Sequence, residues 1–432
     1  MFTFVINALP RRQMRLHAQM LSAAISFSCV WAQAHAEPLT LDAALQAASQ
    51  RSAAVQAAQI SIRASSESAV SEGQLPDPML KAGIDNLPTG GSQGFTIGQD
   101  FMTMRRVGIE QEWVSAEKRQ LRSALAKEMV GQARSAYLAQ VADIRQQTAL
   151  AWLDAAYAKK ALVMRSALVD HMSQELKATQ ASYRGAKASA ADVVQAQAMF
   201  AQTQDLDLQA QQSYETALIG LSRWTGQTVV DVTGEPPPPE SSVPTLSADE
   251  LRRVQPTLAI AAEDVAVATA DAAVATSERY PNWTWEVSYQ QRGGAYSDMV
   301  SVGVRIPIPI NREKRQDRTI AAKLMLTERA RLMYEEAQRS VQADIRTQVA
   351  LLDSGRRRSD ELKRSLLPTT EQRVQLSISA YRAGTGTLAD TFAARRAQLE
   401  AQLQVLDLNR AVSQTWARLQ YQVVSPALAL AQ

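Results

Sequence analysis

The sequence is short of the residues that carry most protein chemistry. It holds one cysteine, Cys29, and three histidines, His17, His35 and His171. A disulfide needs two thiols, and a zinc site needs a set of nitrogen and sulfur ligands. With Cys29, His17 and His35 in the leader described below, one mature chain has His171 alone, which excludes a His/Cys metal site. Long apolar runs are absent as well. Beyond the leader no segment reaches the 18 or so uncharged apolar residues of a transmembrane helix. Helix breakers are missing from two stretches. Residues 116–183 contain no proline and one glycine, Gly131; residues 313–367 contain no proline and one glycine, Gly355. Each stretch predicts a helix of about 67 residues, the second running to Tyr381 across Pro368, and so roughly 100 Å long. Pro368 is expected to kink or split its helix. Such lengths imply a coiled coil or a helical tube.

Residues 1–36 read as a secretory leader. Arg11, Arg12 and Arg15 form a basic start, Leu21 to Trp31 an apolar stretch, and Ala34-His35-Ala36 a cleavage site. The basic start is long enough for translation to begin at Met14. Cys29 also admits a lipoprotein reading, although Ser26-Phe27-Ser28 is a poor context for it. The three leader arginines account for the whole formal charge of +3. A neutral mature chain gives no reason to expect nucleic acid as a partner. An exported chain with no membrane helix is either periplasmic or part of an outer-membrane barrel.

The chain then says the same thing twice. Ala142-Asp143-Ile144-Arg145 returns as Ala343-Asp344-Ile345-Arg346, Tyr183-Arg184 with Asp192 returns as Tyr381-Arg382 with Asp390, and Val107-Gly108-Ile109 returns as Val302-Gly303-Val304. A spacing of about 200 residues is too long for a solenoid unit and marks two copies of one composite module. The expected boundaries are 37–224 for the first copy, 225–249 for a stiff linker containing Pro236-Pro237-Pro238-Pro239, 250–424 for the second, and 425–432 for a tail.

Each copy carries alternating strands. Trp283, Trp285, Val287 and Tyr289 alternate with Thr284, Glu286, Ser288 and Gln290; Val300, Val302, Val304, Ile306 and Ile308 alternate with Ser301, Gly303 and Arg305. In the first copy Leu80, Ala82 and Ile84 alternate with Lys81, Gly83 and Asp85, and Val107, Ile109 and Trp113 with Arg106, Gly108, Glu110 and Glu112. The pattern predicts hairpins over about 78–114 and 282–309, with strands of roughly ten residues, the length a tilted strand needs to cross a bilayer. One reading is a soluble sheet with one face on a core. The other is a barrel wall. Trp113, Trp283 and Trp285 fall at one end of their strands, as in an interfacial girdle, and Lys81, Arg106, Glu110, Glu112, Glu286 and Arg305 suit a water-filled lumen. The lipid face would carry Trp283, Trp285, Val287, Val302 and Val304. Four strands cannot close a barrel, and open edges are not tolerated in lipid, so copies of the chain would have to share one.

Short helices are expected before each hairpin, at about 40–74 and 247–278, the second opened by a Ser247/Glu250 capping box. Each long helix ends at its Tyr-Arg and turns through glycine, Gly185 in the first copy, Gly384 and Gly386 in the second. A return helix then starts with a capping signature, Ser189 with Asp192 and Thr387 with Asp390, and runs to about Trp224 or Tyr421.

A duplicated module of membrane hairpin plus long helical hairpin, behind a leader, resembles the TolC family of outer-membrane efflux ducts over nearly the whole mature chain. The resemblance rests on Leu39-Thr40-Leu41-Asp42-Ala43-Ala44-Leu45, on Pro256-Thr257-Leu258, and on the tip pattern Tyr-x-x-Gly-x-x-Ser/Thr-x-x-Asp. The second tip fits the pattern; in the first, Gly185 lies one residue early. Leu75-Pro76-Asp77-Pro78, Asn86-Leu87-Pro88 and Met102-Thr103-Met104-Arg105-Arg106 are similar to the heavy-metal, CzcC/CusC-like branch. The resemblance implies a mainly α fold with a membrane β portion: a homotrimer with a twelve-stranded barrel continued by a periplasmic α-helical barrel. It also implies a periplasmic adaptor, an RND-type inner-membrane pump, outer-membrane lipid as surroundings, and passive exit of heavy-metal cations. Ducts of the same fold that export drugs or organic compounds, or serve type I secretion, remain alternatives, as does a soluble periplasmic scaffold or adaptor.

No catalytic constellation is visible, so neither enzyme activity nor a cofactor is expected. Met79, Met102 and Met104 gather near the first hairpin in sequence; thioethers bind Cu(I) or Ag(I), but methionine also fills loops as an apolar side chain. Asp192 and Asp390 cap helices and would also form carboxylate rings at a closed periplasmic tip, with Arg184 and Arg382 as the partners that latch it. The tips, Tyr183 to Asp192 and Tyr381 to Asp390, are where the adaptor is expected to dock.

Overall fold

The computed structural model describes residues 38–424; the leader with Cys29 and the 425–432 tail lie outside them. The order of elements runs α, α, β, β, α, α twice. In the first half these are α1 (Leu41–Arg51), α2 (Ala53–Glu72), β1 (Met79–Asp85), β2 (Met104–Trp113), α3 (Ala116–Arg184) and α4 (Ala190–Thr225). In the second they are α5 (Ala248–Val254), α6 (Pro256–Ser277), β3 (Trp283–Gln291), β4 (Met299–Arg305), α7 (Gln316–Arg382) and α8 (Leu388–Tyr421). No helix among the described residues is long and apolar enough to cross a membrane.

The helix starts follow from their caps. Ser115 accepts from the Lys118 amide to open α3, and reciprocal capping boxes open α4, α5 and α8 at Ser189/Asp192, Ser247/Glu250 and Thr387/Asp390. α3 runs 69 residues and α7 runs 67, each roughly 100 Å. Of the two expected outcomes at Pro368, a kink or a split, the split does not occur: α7 is continuous across it. Proline removes one amide donor from the ladder, and the two threonines after it turn their hydroxyls back onto the helix: Thr369 donates to Ser365 O at 2.7 Å and Thr370 to Leu366 O at 3.0 Å. The carbonyl left without its amide is that of Arg364, four residues back, and the packing of α8 alongside carries the helix past it.

The main core lies partway along the long helices, where α3 and α8 meet the linker. Trp152, Leu153, Leu221 and Leu419 are fully buried there with Leu39, Val229, Val232 and Val243. Both indoles are anchored to backbone carbonyls: Trp152 Nε1 donates to Leu39 O at 2.8 Å, and Trp416 Nε1 donates to Glu240 O at 2.7 Å. Lys159 meets Asp231 at 2.6 Å, and Tyr214 donates its hydroxyl to the same carboxylate. Despite the burial that opposes it, these partners hold Asp231 below the usual carboxylate range, while burial and the Asp231 bond push the Tyr214 hydroxyl up. The proline linker is thus a strap bound across both halves.

The four strands form one antiparallel sheet in the order β1-β2-β3-β4, so the two halves meet at β2–β3. β2 and β3 have 10 and 9 residues, but the edge strands have only 7 each. The alternation expected to carry β4 to Ile308 stops at Arg305, because Pro307 and Pro309 lack the amide a ladder needs.

Candidate functional site

The sheet is inside out by the standards of a soluble protein. The register pairs Leu80 with Ile109, Ile109 with Val287 and Val287 with Val302, so these apolar residues share one face. That face is open: Leu80 and Val302 are each 74% exposed. The opposite face holds the charges and is the more enclosed, with Glu110 only 5% exposed. There Lys81 pairs with Glu110 and, at 3.3 Å, with Glu286. Arg106 lies 3.3 Å from Asp85 and 3.8 Å from Glu286, and Arg305 lies 3.6 Å from Glu110. Five of the six charged residues expected on one wall are therefore joined in a ladder over four strands; the sixth, Glu112, accepts from Asn282 instead. Asp85 belongs to it too; its alternation placed it on that face, but nothing in the sequence named its partner.

At the end of the sheet nearest the helices, Trp113 pairs directly with Trp283, ring centroids 5.9 Å apart, and Trp285 pairs with Gln111. Just beyond, Lys118 is 3% exposed, with its ammonium 3.1 Å from Glu278 and 2.8 Å from Asn282 Oδ1. Asn282 Nδ2 donates to Glu112 at 2.8 Å, and Arg122 reaches Glu278 at 2.9 Å. Glu278 is partly desolvated, yet Arg122 and Lys118 hold its pKa below the usual range. This knot ties α3, α6 and the strands together. Sequence reasoning missed it because its members lie some 160 residues apart.

The three candidate methionines are not brought together. Met79 pairs with Glu110 and Met104 with Asp85, at opposite ends of β1, about 20 Å apart at the rise of a strand. Met102 precedes β2 near Met104, leaving no three-thioether site. No group of three or more His, Cys, Asp or Glu that could hold a metal occurs among the described residues.

The two tips adopt one geometry. At the second, Ala383 N bonds Ser379 O, Gly384 N bonds Tyr381 O and Thr385 N bonds Ala380 O; at the first, Gly185, Ala186 and Lys187 make the same three bonds to Ala181, Tyr183 and Ser182. The turning residue of the first tip is therefore Ala186, with φ 58°, and not Gly185, whose φ is −87°. Gly384 takes the equivalent place at φ 74°. Gly386 allows close approach instead: a Cβ there would lie 3.0 Å from Ala380 Cβ. Tyr183, Arg184, Tyr381 and Arg382 are exposed.

Within one chain the expected arginine latch is not formed. Asp192 Oδ2 accepts from Ser189 N and Oγ, both at 2.8 Å, and Asp390 Oδ2 from Thr387 N at 3.1 Å and Oγ1 at 2.6 Å. These bonds hold both carboxyls below their usual range. The pair that does cross between the halves near the tips is Glu175 on α3 with Arg395 on α8, at 2.8 Å, beside buried Met172, Ala196 and Phe392. Burial pushes the Glu175 carboxyl up, against the pull of Arg395 and His171.

The sequence matches no family model and no curated protein. Solved structures do match. The outer membrane protein VceC from Vibrio cholerae is 17% identical with a TM-score of 0.71, covering 87% of this chain and 94% of that one. The CmeC outer membrane channel of Campylobacter jejuni is 13% identical with a TM-score of 0.72, covering 88% and 85%. CusC, described for its transmembrane channel formation, is 14% identical with a TM-score of 0.71, covering 88% and 92%. A short antiparallel sheet and two paired long helices laid out in this order give the chain the TolC-like fold of these outer-membrane channels.

Proposed function

We propose that the chain is the outer-membrane exit duct of a tripartite efflux assembly, a homotrimer with a twelve-stranded barrel. The observation that carries this reading is the inside-out sheet. An exposed apolar face is a liability in water and a requirement in lipid, while the ion-paired face suits a wet lumen. A soluble scaffold has no use for that arrangement. Two unpaired edges, β1 and β4, demand neighbours, and three chains of four strands provide them. The described residues then divide into a lipid-facing girdle of Trp113, Trp283 and Trp285, a lumen wall of Lys81, Arg106, Glu110, Glu286 and Arg305, and periplasmic tips that dock an adaptor beneath the duct. In the trimer Asp192 and Asp390 would bring six carboxylates to the tips beside Arg184 and Arg382.

For cargo we propose heavy-metal cations driven by an RND-type pump, on the short motifs around Pro76, Pro88 and Met102–Arg106. The duct passes cargo by diffusion and needs no metal site of its own. The test has two arms. Cross-linking of the outer-membrane fraction in mild detergent is expected to give a three-step ladder; a stable inserted monomer overturns the duct. Deleting the gene is expected to lower tolerance to copper, silver, cobalt, zinc or cadmium salts, and Gly384→Val to mimic the deletion while leaving membrane insertion intact. Unchanged metal tolerance with lost resistance to organic compounds reassigns the cargo to drugs.

A further inference from the structure

The two passages from strand to long helix differ. β2 reaches α3 through Val114 and Ser115 alone, with Val114 buried. β4 reaches α7 through residues 306–315, all of them exposed. This longer passage opens Ile306-Pro307-Ile308-Pro309-Ile310 and closes Asn311-Arg312-Glu313-Lys314-Arg315.

Its first half continues the apolar face of the sheet without a ladder. Proline holds the residue before it extended, so Ile306 and Ile308 keep the alternation of Val300, Val302 and Val304. Prolines also remove two amide donors that would otherwise stand unpaired beside lipid. Ile308 is 81% exposed and Ile310 is 94% exposed. Since Thr284 pairs with Arg305, Ile306 stands level with Trp283, and Ile308 reaches about 7 Å past the tryptophan pair on the helix side. An amphipathic segment at an interface seats its apolar side chains at about that depth. A neighbouring subunit that pairs with the β4 edge takes up backbone groups, not this face.

The second half supplies cations where headgroups would lie. Arg312, Lys314, Arg315 and Arg318 face two acids, Glu313 and Asp317, and Asp317 is shared between Arg312 at 3.4 Å and Arg279 at 3.3 Å. Lys314, Arg315 and Arg318 form no ion pair among the described residues.

We propose that residues 306–315 are an interfacial anchor that holds anionic phospholipid at the periplasmic leaflet of the outer membrane, with the isoleucines among acyl chains and Arg312, Lys314 and Arg315 on the phosphates. This rests on the duct reading above. The anchor fixes the barrel's depth at the passage from β4 into α7, which carries no buried lysine of its own.

The test uses the full chain purified in mild detergent and returned to nanodiscs of phosphatidylethanolamine with or without phosphatidylglycerol. Lipid retained through re-extraction is counted by native mass spectrometry. The parent is expected to retain phosphatidylglycerol preferentially. Lys314→Gln with Arg315→Gln is expected to weaken that preference about fivefold for each cation removed. Ile308→Ser with Ile310→Ser is expected to lower retention of both lipids. Arg358→Gln, an exposed cation about 60 Å down α7, is expected to change nothing. No preference in the parent, an unchanged preference in the Lys314/Arg315 variant, or an equal loss in the Arg358 control overturns the anchor. So does an isoleucine variant that dissociates the trimer with lipid retention intact, which makes the face a subunit contact. A parent chain that does not fractionate with the outer membrane fails the duct instead, a result read before any lipid is counted.

Discussion

At the first tip an alanine sits in the left-handed region, and at the second a glycine does, within the same set of hydrogen bonds. A left-handed L-residue costs roughly 1–2 kcal/mol and glycine almost nothing. The geometry is thus held in common while its cost is not, and the first tip carries strain that the second lacks. The passages above the long helices differ in the same way. The first is two residues with a cap at Ser115 and a buried lysine; the second is ten exposed residues, and α7 starts without a side-chain cap. Two halves of one design have kept their layout and diverged at its two ends, the passages from strand to long helix and the helical tips.

The largest expected effect tests what the halves share. Val302→Arg, or Val107→Arg in the first half, is expected to destabilise the barrel by roughly 2–4 kcal/mol if the position lies near the bilayer midplane. Ser301→Arg, on the opposite face, is expected to cost little. Denaturant unfolding in vesicles measures this, and equal damage at Val302 and Ser301 rejects the assigned faces.

A smaller effect separates the halves along the long helices. By the repeat, Gly355 corresponds to Asp154. A Cβ on Gly355 would lie 2.6 Å from Val412 Cγ2. Gly355→Ala is therefore expected to cost about 1–3 kcal/mol by overpacking, and adding Val412→Ala to recover part of it. Asp154 instead reaches Arg410 at 2.9 Å and Gln414 at 2.5 Å. Asp154→Gly is expected to lose those bonds with no gain in packing. Thermal unfolding of the two variants measures the contrast.

At the tips the signs should oppose. Ala186→Gly is expected to stabilise the first tip by about 1 kcal/mol and Gly384→Ala to destabilise the second by about as much. Amide hydrogen exchange at residues 181–189 and 379–387 reads both, and changes of the same sign would show that the tips do not share their backbone strain.

The smallest effect is one of pH. Burial raises the Glu175 pKa above its ordinary value of 4.5. Its contribution is fully present below that value and is lost as pH rises through the folded pKa, so the α3–α8 contact near the tips should loosen there. Asp192 and Asp390 are lowered from 3.8, so their caps are intact above that value and fail as pH falls through the folded pKa. Exchange rates near Phe392 against pH, with Glu175→Gln as the flat control, measure the first. A parent profile as flat as that of the Gln variant removes Glu175 from the contact.

Much of the molecule was legible because its signals are local. Capping boxes lie within four residues, strand alternation has a period of two, and two stretches without breakers leave little but helix. The repeat supplied the order of elements, and with it the faces of Trp113, Trp283, Lys81 and Glu286. What the sequence could not decide involves pairs distant along the chain or a competition between local rules. Pro368 reads as a break, but α7 runs through it along the flank of α8. Gly185 reads as the turning residue, but the hydrogen bonds of the tip place Ala186 there. Met79, Met102 and Met104 look like a cluster until β1 and β2 run antiparallel and set Met79 at the far end. The knot of Lys118 with Glu278 and Asn282, the Glu175–Arg395 pair and the strap under Trp152 and Trp416 exist only because the folded chain brings its two halves side by side. The sequence by itself determined the elements, their order and the two faces of each strand, since those depend on residues within a few positions of one another. The tertiary structure alone decided which charges meet, which residue bears the strain of each turn, and where an exposed isoleucine ladder stands relative to the tryptophans, since those depend on distances in space that no spacing along the chain records.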